Sequence, residues 1–248
     1  MKMVPRDDLI QYVNDYLQVD QVKDYCPAGL QVEGKEQVHR IVTAVSAGAR
    51  LFQQAAEWQA DMIIVHHGLF WDHDPRVVRG PLKGRLKILL QSDITLLGYH
   101  LALDKHPVLG NNRLAALALG LEQVAPLGEV GVQGRVAGLT IGQLTRQVEA
   151  VFQHAALVFA DGPEQIKRIG FCSGGAARDL SDAVEAGLDA FITGEAKEET
   201  MNLAEENAIH FIAAGHYATE RMGIRALGEH LAQIFPVEVR FIERTNPV

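Results

Sequence analysis

The chain has 248 residues, 48% of them hydrophobic and 22% charged, with a formal net charge of −8. That balance suits one large or two modest globular domains, and without a basic cluster it argues against a sequence-independent grip on nucleic acid. Its two cysteines, Cys26 and Cys172, lie far apart, which speaks against a disulfide scaffold, and no run reaches the roughly 20 apolar residues of a membrane span; a cytoplasmic chain is expected.

In chain order, Pro5, Asp7 and Asp8 open a helix whose Ile10, Val13 and Leu17 recur at helical spacing. The stretch "DYCPAGLQVEG" (24–34) breaks that period with Pro27, Gly29 and Gly34 and reads as a loop. A βαβ unit follows: "RIVTAVSAG" as strand, "ARLFQQAAEWQA" as helix and "DMIIVHHG" as strand. "PLKGRLKILLQSD" is the next helix and "ITLLGYH" the next strand. Asn111 and Asn112 are expected to cap a short helix, "RLAALAL", that stops at Gly120. Residues 120–140, rich in glycine and valine, read as a linker or a short β excursion. The grammar then recurs: "RIGFCSGGA", "LDAFITGE", "AIHFIAAGH" and "VEVRFIER" as strands, alternating with the helices "RDLSDAVEAG", "KEETMNLAEEN" and "TERMGIRALGEHLAQ".

Ile41 aligns with Ile169 and Asp61 with Asp189, both offset by 128 residues, which sets His67 opposite Glu195. The first half is twelve residues longer between landmarks (67 to 100 against 195 to 216), with "LFWDHDPRVVRG" as the insertion. The fold class expected is α/β: two similar halves, about 1–125 and 126–248, with largely parallel sheets covered by helices. In such sheets ligand sites gather beyond the C-terminal ends of strands.

Four signals sit at such ends. His66 and His67 close one strand, and His100 closes another and precedes Asp104 in "HLALD". Glu195 ends "TGE", and His216 ends the equivalent of "LLGYH" with Glu220 four residues on. In a first helical turn, residues i and i+4 project to one side, so each His-x3-acid pair can bind one cation. Taken singly, the paired histidines can be a satisfied polar pair, and Glu195 can be an acid answering a helix dipole. Together the set suits two divalent ions, Zn, Fe, Mn, Ni or Co, with carboxylate able to bridge them. Such a pair activates water and clamps attacking and leaving oxygens, and a metal site between the halves is expected.

The other histidines are weaker candidates. His39, His154, His210 and His230 read as structural or solvated; His73 and His106 lie near the cluster in loops. "CSGGA" reads as a tight strand-to-helix turn, and Cys172 as a small core residue.

At "YCPAGLQVEG", "IIVHHGLFW", "GYHLALDKHPVLGNN", "AFITGE" and "AAGHYATERMGIRAL" the sequence resembles the NIF-three-like dinuclear-metal-centre proteins, often labelled GTP cyclohydrolase I type 2 homologues. The five collinear motifs run from Tyr25 to Leu227. The resemblance implies a toroidal homohexamer whose sites face the interior. It implies His66, His67, Asp104, His216 and Glu220 as metal ligands, Glu220 bridging, with Glu195 a proton shuttle and His100 a ligand or its support. The function expected is a dinuclear metal-dependent hydrolase acting on a nucleotide-like or phosphorylated small molecule. The alternative is a non-catalytic metal-handling or interaction protein. No guanine-reading or triphosphate-binding pattern is recognisable in the residues.

Overall fold

A computed structural model describes residues 2–248. The chain divides into two compact units. One comprises the chain up to His106 together with Gly223–Arg244, and the other Pro107–Met222 with Thr245–Val248.

In the first unit five strands lie in the order Glu238–Phe241, Arg40–Ser46, Met62–His67, Thr95–Gly98, Gly29–Val32. The first four are mutually parallel, and the last pairs antiparallel with its neighbour. Ile41 through Val45 and Met62 through His66 are buried at every position, because helices cover both faces of a parallel sheet and leave no polar side. Helices Ala49–Glu57 and Gly80–Ser92 bring Leu51, Phe52 and Leu89 onto Ile63, Val65 and Leu96. The expected first helix spans Arg6–Leu17, with Leu9, Val13 and Leu17 inward at four-residue spacing. Asp7 and Asp8 lie in its first turn, where the helix dipole favours acids.

The stretch expected as a loop contains a strand, Gly29–Val32. It fails the period test because it is only four residues long and takes its ladder from the sheet edge: Gly29 pairs with Gly98 and Leu30 with Leu97. The last strand, Glu238–Phe241, returns to lie beside Arg40–Thr43.

In the second unit the order is Glu122–Leu127, Gly131–Leu139, Ile166–Phe171, Ala190–Thr193, His210–Ala213, Leu157–Ala160. The three central strands are parallel, and antiparallel strands flank them on both sides. Residues 120–140 are therefore a hairpin extending the sheet. Asn111 and Asn112 lie inside helix Asn111–Ala118, after Gly110 as its N-cap. Asn112 instead ties loops together, donating to Val130 O and accepting from Ser173 N. Helix Ile141–Phe152 starts with a capping box between Thr140 and Gln143 and sends Leu144, Val148 and Phe152 to the core.

The repeat is visible bond by bond. Asp61 Oδ2 accepts from the backbone N–H of His39 and Arg40, and 128 residues on Asp189 Oδ2 accepts from Lys167 and Arg168. Arg40 donates to Trp58 O, and Arg168 to Ala186 O. Strand register repeats as well: Ile41, Met62 and Thr95 are in line, as are Ile169, Ala190 and His210. That register carries a correction. Gly98 corresponds to Ala213, so His100 falls opposite Gly215, one residue before His216. The two His-x3-acid pairs are displaced by one position. Among the described residues no helix is long and apolar enough to cross a membrane.

Candidate metal centre

In the first unit, strand Met62–His67 ends on the paired histidines, and alternation sends them to different neighbours. His66 is fully buried, and its Nδ1 lies 2.9 Å from Tyr99 O. A carbonyl only accepts, so Nδ1 carries the hydrogen, and in the neutral ring Nε2 offers its lone pair. Nε2 stands 3.5 Å from Asp104 Oδ2. His67 Nδ1 lies 3.2 Å from Ser46 Oγ. His100 Nδ1 lies 3.0 Å from Asp24 Oδ1, while the other Asp24 oxygen accepts from Leu101 N. Burial raises the Asp24 carboxyl, but His100 and the backbone N–H groups of Leu101 and Tyr25 outweigh it and hold the carboxyl below its ordinary range. One nitrogen from each of His66, His67 and His100 falls within a 4.8 Å cluster.

Asp104 therefore faces His66, and His100 faces Asp24. The first-half pair does not close on itself as i, i+4 spacing suggests, because His100 is the residue before helix Leu101–Asp104 and has non-helical dihedrals. The second-half pair does close: His216 is the first residue of helix His216–Ile234, and its Nε2 lies 3.1 Å from Glu220 Oε2.

In the second unit His216 Nδ1 is 2.5 Å from Glu195 Oε1. Burial lowers the affinity of His216 for a proton, yet Glu220 and Glu195 overcome it and raise its pKa to about 9. Such a negative setting attracts a cation. The turn after strand Ile166–Phe171 leaves space for the Glu220 and His216 side chains. Gly174 has φ +70, donates to Thr219 Oγ1 and accepts from Gly194 N. A Cβ there would land on Glu220 Oε1 and stand 3.2 Å from His216 Nε2. Gly194 of "TGE" is equally confined, since a Cβ would come within 2.6 Å of Gly174 O and His216 Cα.

A common pattern joins the four imidazoles. In His66, His67, His100 and His216 alike, Nδ1 is tethered by an oxygen of the protein, which orients the ring to present Nε2. His210, expected to be structural, uses both nitrogens on Gly162 N and Pro163 O. His106 and His154 spend Nε2 on the carbonyls of Tyr16 and Pro247. The donor set thus fits divalent cations that accept imidazole and carboxylate.

A sequence profile of Duf34/NIF3, NGG1p interacting factor 3, matches residues 4–247. The chain belongs to this family. A relative from Salmonella typhimurium, named GTP cyclohydrolase 1 type 2 homolog, is 46% identical over 97% of this chain and 98% of its own. One of the same name from Escherichia coli K12 is 45% identical over the same shares. Among solved structures, protein ybgI superposes with a TM-score of 0.96 at 43% identity, covering 99% of this chain and 100% of that one. TTHA1606 from Thermus thermophilus gives 0.91 at 33%, with the same coverage. Reduced HcgD from Methanocaldococcus jannaschii, 21% identical with a TM-score of 0.88 over 98% of this chain and 100% of its own, shares the fold.

For this NIF3 family member, several supporting residues escaped the motif reading. Asp24, Ser46, Tyr99 and Thr219 act through bonds to residues distant in sequence, which no spacing reveals. Gln31 is another. Its Oε1 accepts from Leu69 N, and its amide occupies the space a Cβ on Gly68 or Gly98 would need, which explains the glycine after the paired histidines. Tyr25 and Trp71 set ring edges against His100, at 5.0 and 5.2 Å between centroids. Cys26, beside Asp24 and His100, has its thiol pushed up to about 12 by burial and the Asp24 charge, so it stays protonated. Cys172 is buried, as expected of a small core residue.

Proposed function

We propose that this NIF3 family member is a dinuclear metal-dependent hydrolase acting on a nucleotide-like or phosphorylated small molecule. His66, His67, Asp104, His216 and Glu220 would hold the two ions, with Glu220 spanning both. What supports the reading is the shared tether: four imidazoles, each oriented at Nδ1 by an oxygen of the protein, with Nε2 of His66 and His216 turned to the carboxylates of Asp104 and Glu220. The first unit supplies three imidazoles and Asp104, and the second one imidazole flanked by two carboxylates.

Bound cations supply Lewis acidity and neutralise charge on an anionic substrate. The residues do the rest. Asp24 and Glu195 keep the rings of His100 and His216 in register. Glu195, whose side chain is 40% exposed, has a second oxygen available to take or return a proton. His100, backed by Asp24, is the other candidate for proton movement or a further ligand. Assembly as a toroidal homohexamer and a cytoplasmic location belong to the same proposal.

Elemental analysis of the purified full chain is expected to find about two transition-metal ions per chain, and Glu220→Gln is expected to lose at least one along with activity. Full occupancy in that variant refutes the bridging role. The loaded protein is then offered GTP and a panel of nucleotides and phosphoesters. Absence of turnover on all of them favours the non-catalytic, metal-handling alternative.

A further inference from the structure

Beside the histidine cluster, the segment inserted in the first half walls a cavity of about 840 Å³ within the first unit. That volume falls in the ordinary range of small-molecule pockets, roughly 300–1,000 Å³. Its lining is chemically divided. Pro27, Phe70 and Trp71 supply apolar and aromatic residues, while Arg76, Arg79 and Arg85 line the same cavity together with Asp72 and Asp74. The lining therefore carries a net charge of +1 in a chain whose total is −8. Asp74 already has a neighbour in His73, 3.9 Å away. Among the described residues none of the three guanidiniums takes part in an ion pair.

Trp71 connects this cavity to the candidate metal centre. Its ring lines the pocket and also meets His100 edge-on at 5.2 Å and His67 at 5.9 Å. Trp71 thus stands beside the imidazoles and in the wall of the cavity that the arginines also line. Guanidinium forks match phosphate oxygens in pairs, and an indole face suits a flat aromatic body.

We propose that this cavity is the substrate-recognition subsite of the protein, and that it takes a planar heteroaromatic molecule carrying a phosphate, of the nucleoside monophosphate class. The assignment rests on the hydrolase reading for its purpose, but the binding itself needs no metal. Stacking on Trp71 places the heterocycle, and Arg76 and Arg79 fix the phosphate.

The test uses the full chain in the Trp58→Phe background, which leaves Trp71 the sole tryptophan, after chelator treatment. AMP, GMP, adenosine, guanosine and inorganic phosphate are titrated against its fluorescence. The monophosphates are expected to quench saturably and at least 10-fold more tightly than the nucleosides. Arg76→Ala/Arg79→Ala is expected to weaken them by 10-fold or more, without change in melting temperature or in the metal taken up on reloading. Equal binding of nucleoside and nucleotide, unchanged binding in the double variant, or no saturable quenching at millimolar monophosphate each overturns the proposal. Metal content reports on the hydrolase reading separately: a chain that binds GMP but takes up no metal refutes that reading and leaves the nucleotide-binding subsite standing without its substrate role.

Discussion

Gly174 and Gly175 are adjacent, yet the structure sets them apart sharply, and replacing each by alanine tests the local geometry of the second-unit donor set. At Gly174 the backbone has φ +70, a conformation costing an L-residue about 1 kcal/mol relative to glycine. The new methyl would also come within 2.1 Å of Glu220 Oε1 and sit 3.0 Å from its carboxyl carbon. Ordinary van der Waals separation requires the carboxylate to retreat by about 1 Å. Glu220 is only 3% exposed, so the retreat means moving packed neighbours rather than swinging into water. The expected cost is about 1–3 kcal/mol in stability. For the proposed ligand Glu220, a shift of that size also predicts metal affinity lower by about 10- to 100-fold. At Gly175 an added Cβ finds its nearest neighbour, His216 Cε1, at 3.6 Å, an ordinary contact, so Gly175→Ala is expected to be neutral on both counts. Thermal denaturation of the chelated chain gives the first quantity, and competition with a fluorescent zinc chelator the second. If Gly174→Ala melts with wild type and keeps its metal affinity, or if the two alanine variants behave alike, the geometry argued for the turn is wrong.

Other consequences follow from the same contacts. Asp61 accepts from Lys35 Nζ and two backbone N–H groups, so Asp61→Ala strands those donors and is expected to cost about 2–4 kcal/mol in urea melts. Burial raises the Asp61 carboxyl, but Lys35 and the Arg40 and His39 N–H groups bring it below its ordinary value. Its contribution is therefore whole above the unfolded pKa of about 4 and fades as pH falls further; Asp61→Asn is expected to flatten that part of the stability–pH curve, and an unaltered curve counts against the assignment. Asp24→Asn keeps an acceptor for His100 but loses the charge, and is expected to lower metal affinity about 10-fold with the melting temperature little changed; equal affinity by competition titration would remove Asp24 from the site. Phe171 is fully buried and stacks on Phe152 at 5.6 Å, so Phe171→Ala is expected to cost about 3–5 kcal/mol, and a loss below about 1 kcal/mol would mean the second-unit core repacks freely.

Much of this protein is legible in the order of its residues. Alternating apolar strands and amphipathic helices, the 128-residue offset and the histidines at strand ends all depend on neighbours within a turn or a ladder rung, and periodicity reports those directly. What depends on distant partners was decided only by the tertiary structure. The Gly29–Val32 strand exists because a sheet edge receives it, and Glu238–Phe241 closes the first sheet across some 200 residues of chain. The one-residue displacement of the two His-x3-acid pairs follows from ladder register, so one pair closes within its helix while the other divides between Asp24 and His66. The oxygens that hold each Nδ1 come from Tyr99, Ser46, Asp24 and Glu195, residues 21 to 76 positions from the rings they orient. Sequence pattern named the histidines. Long-range hydrogen bonds, which leave no mark at short spacing, decided which nitrogen each one offers.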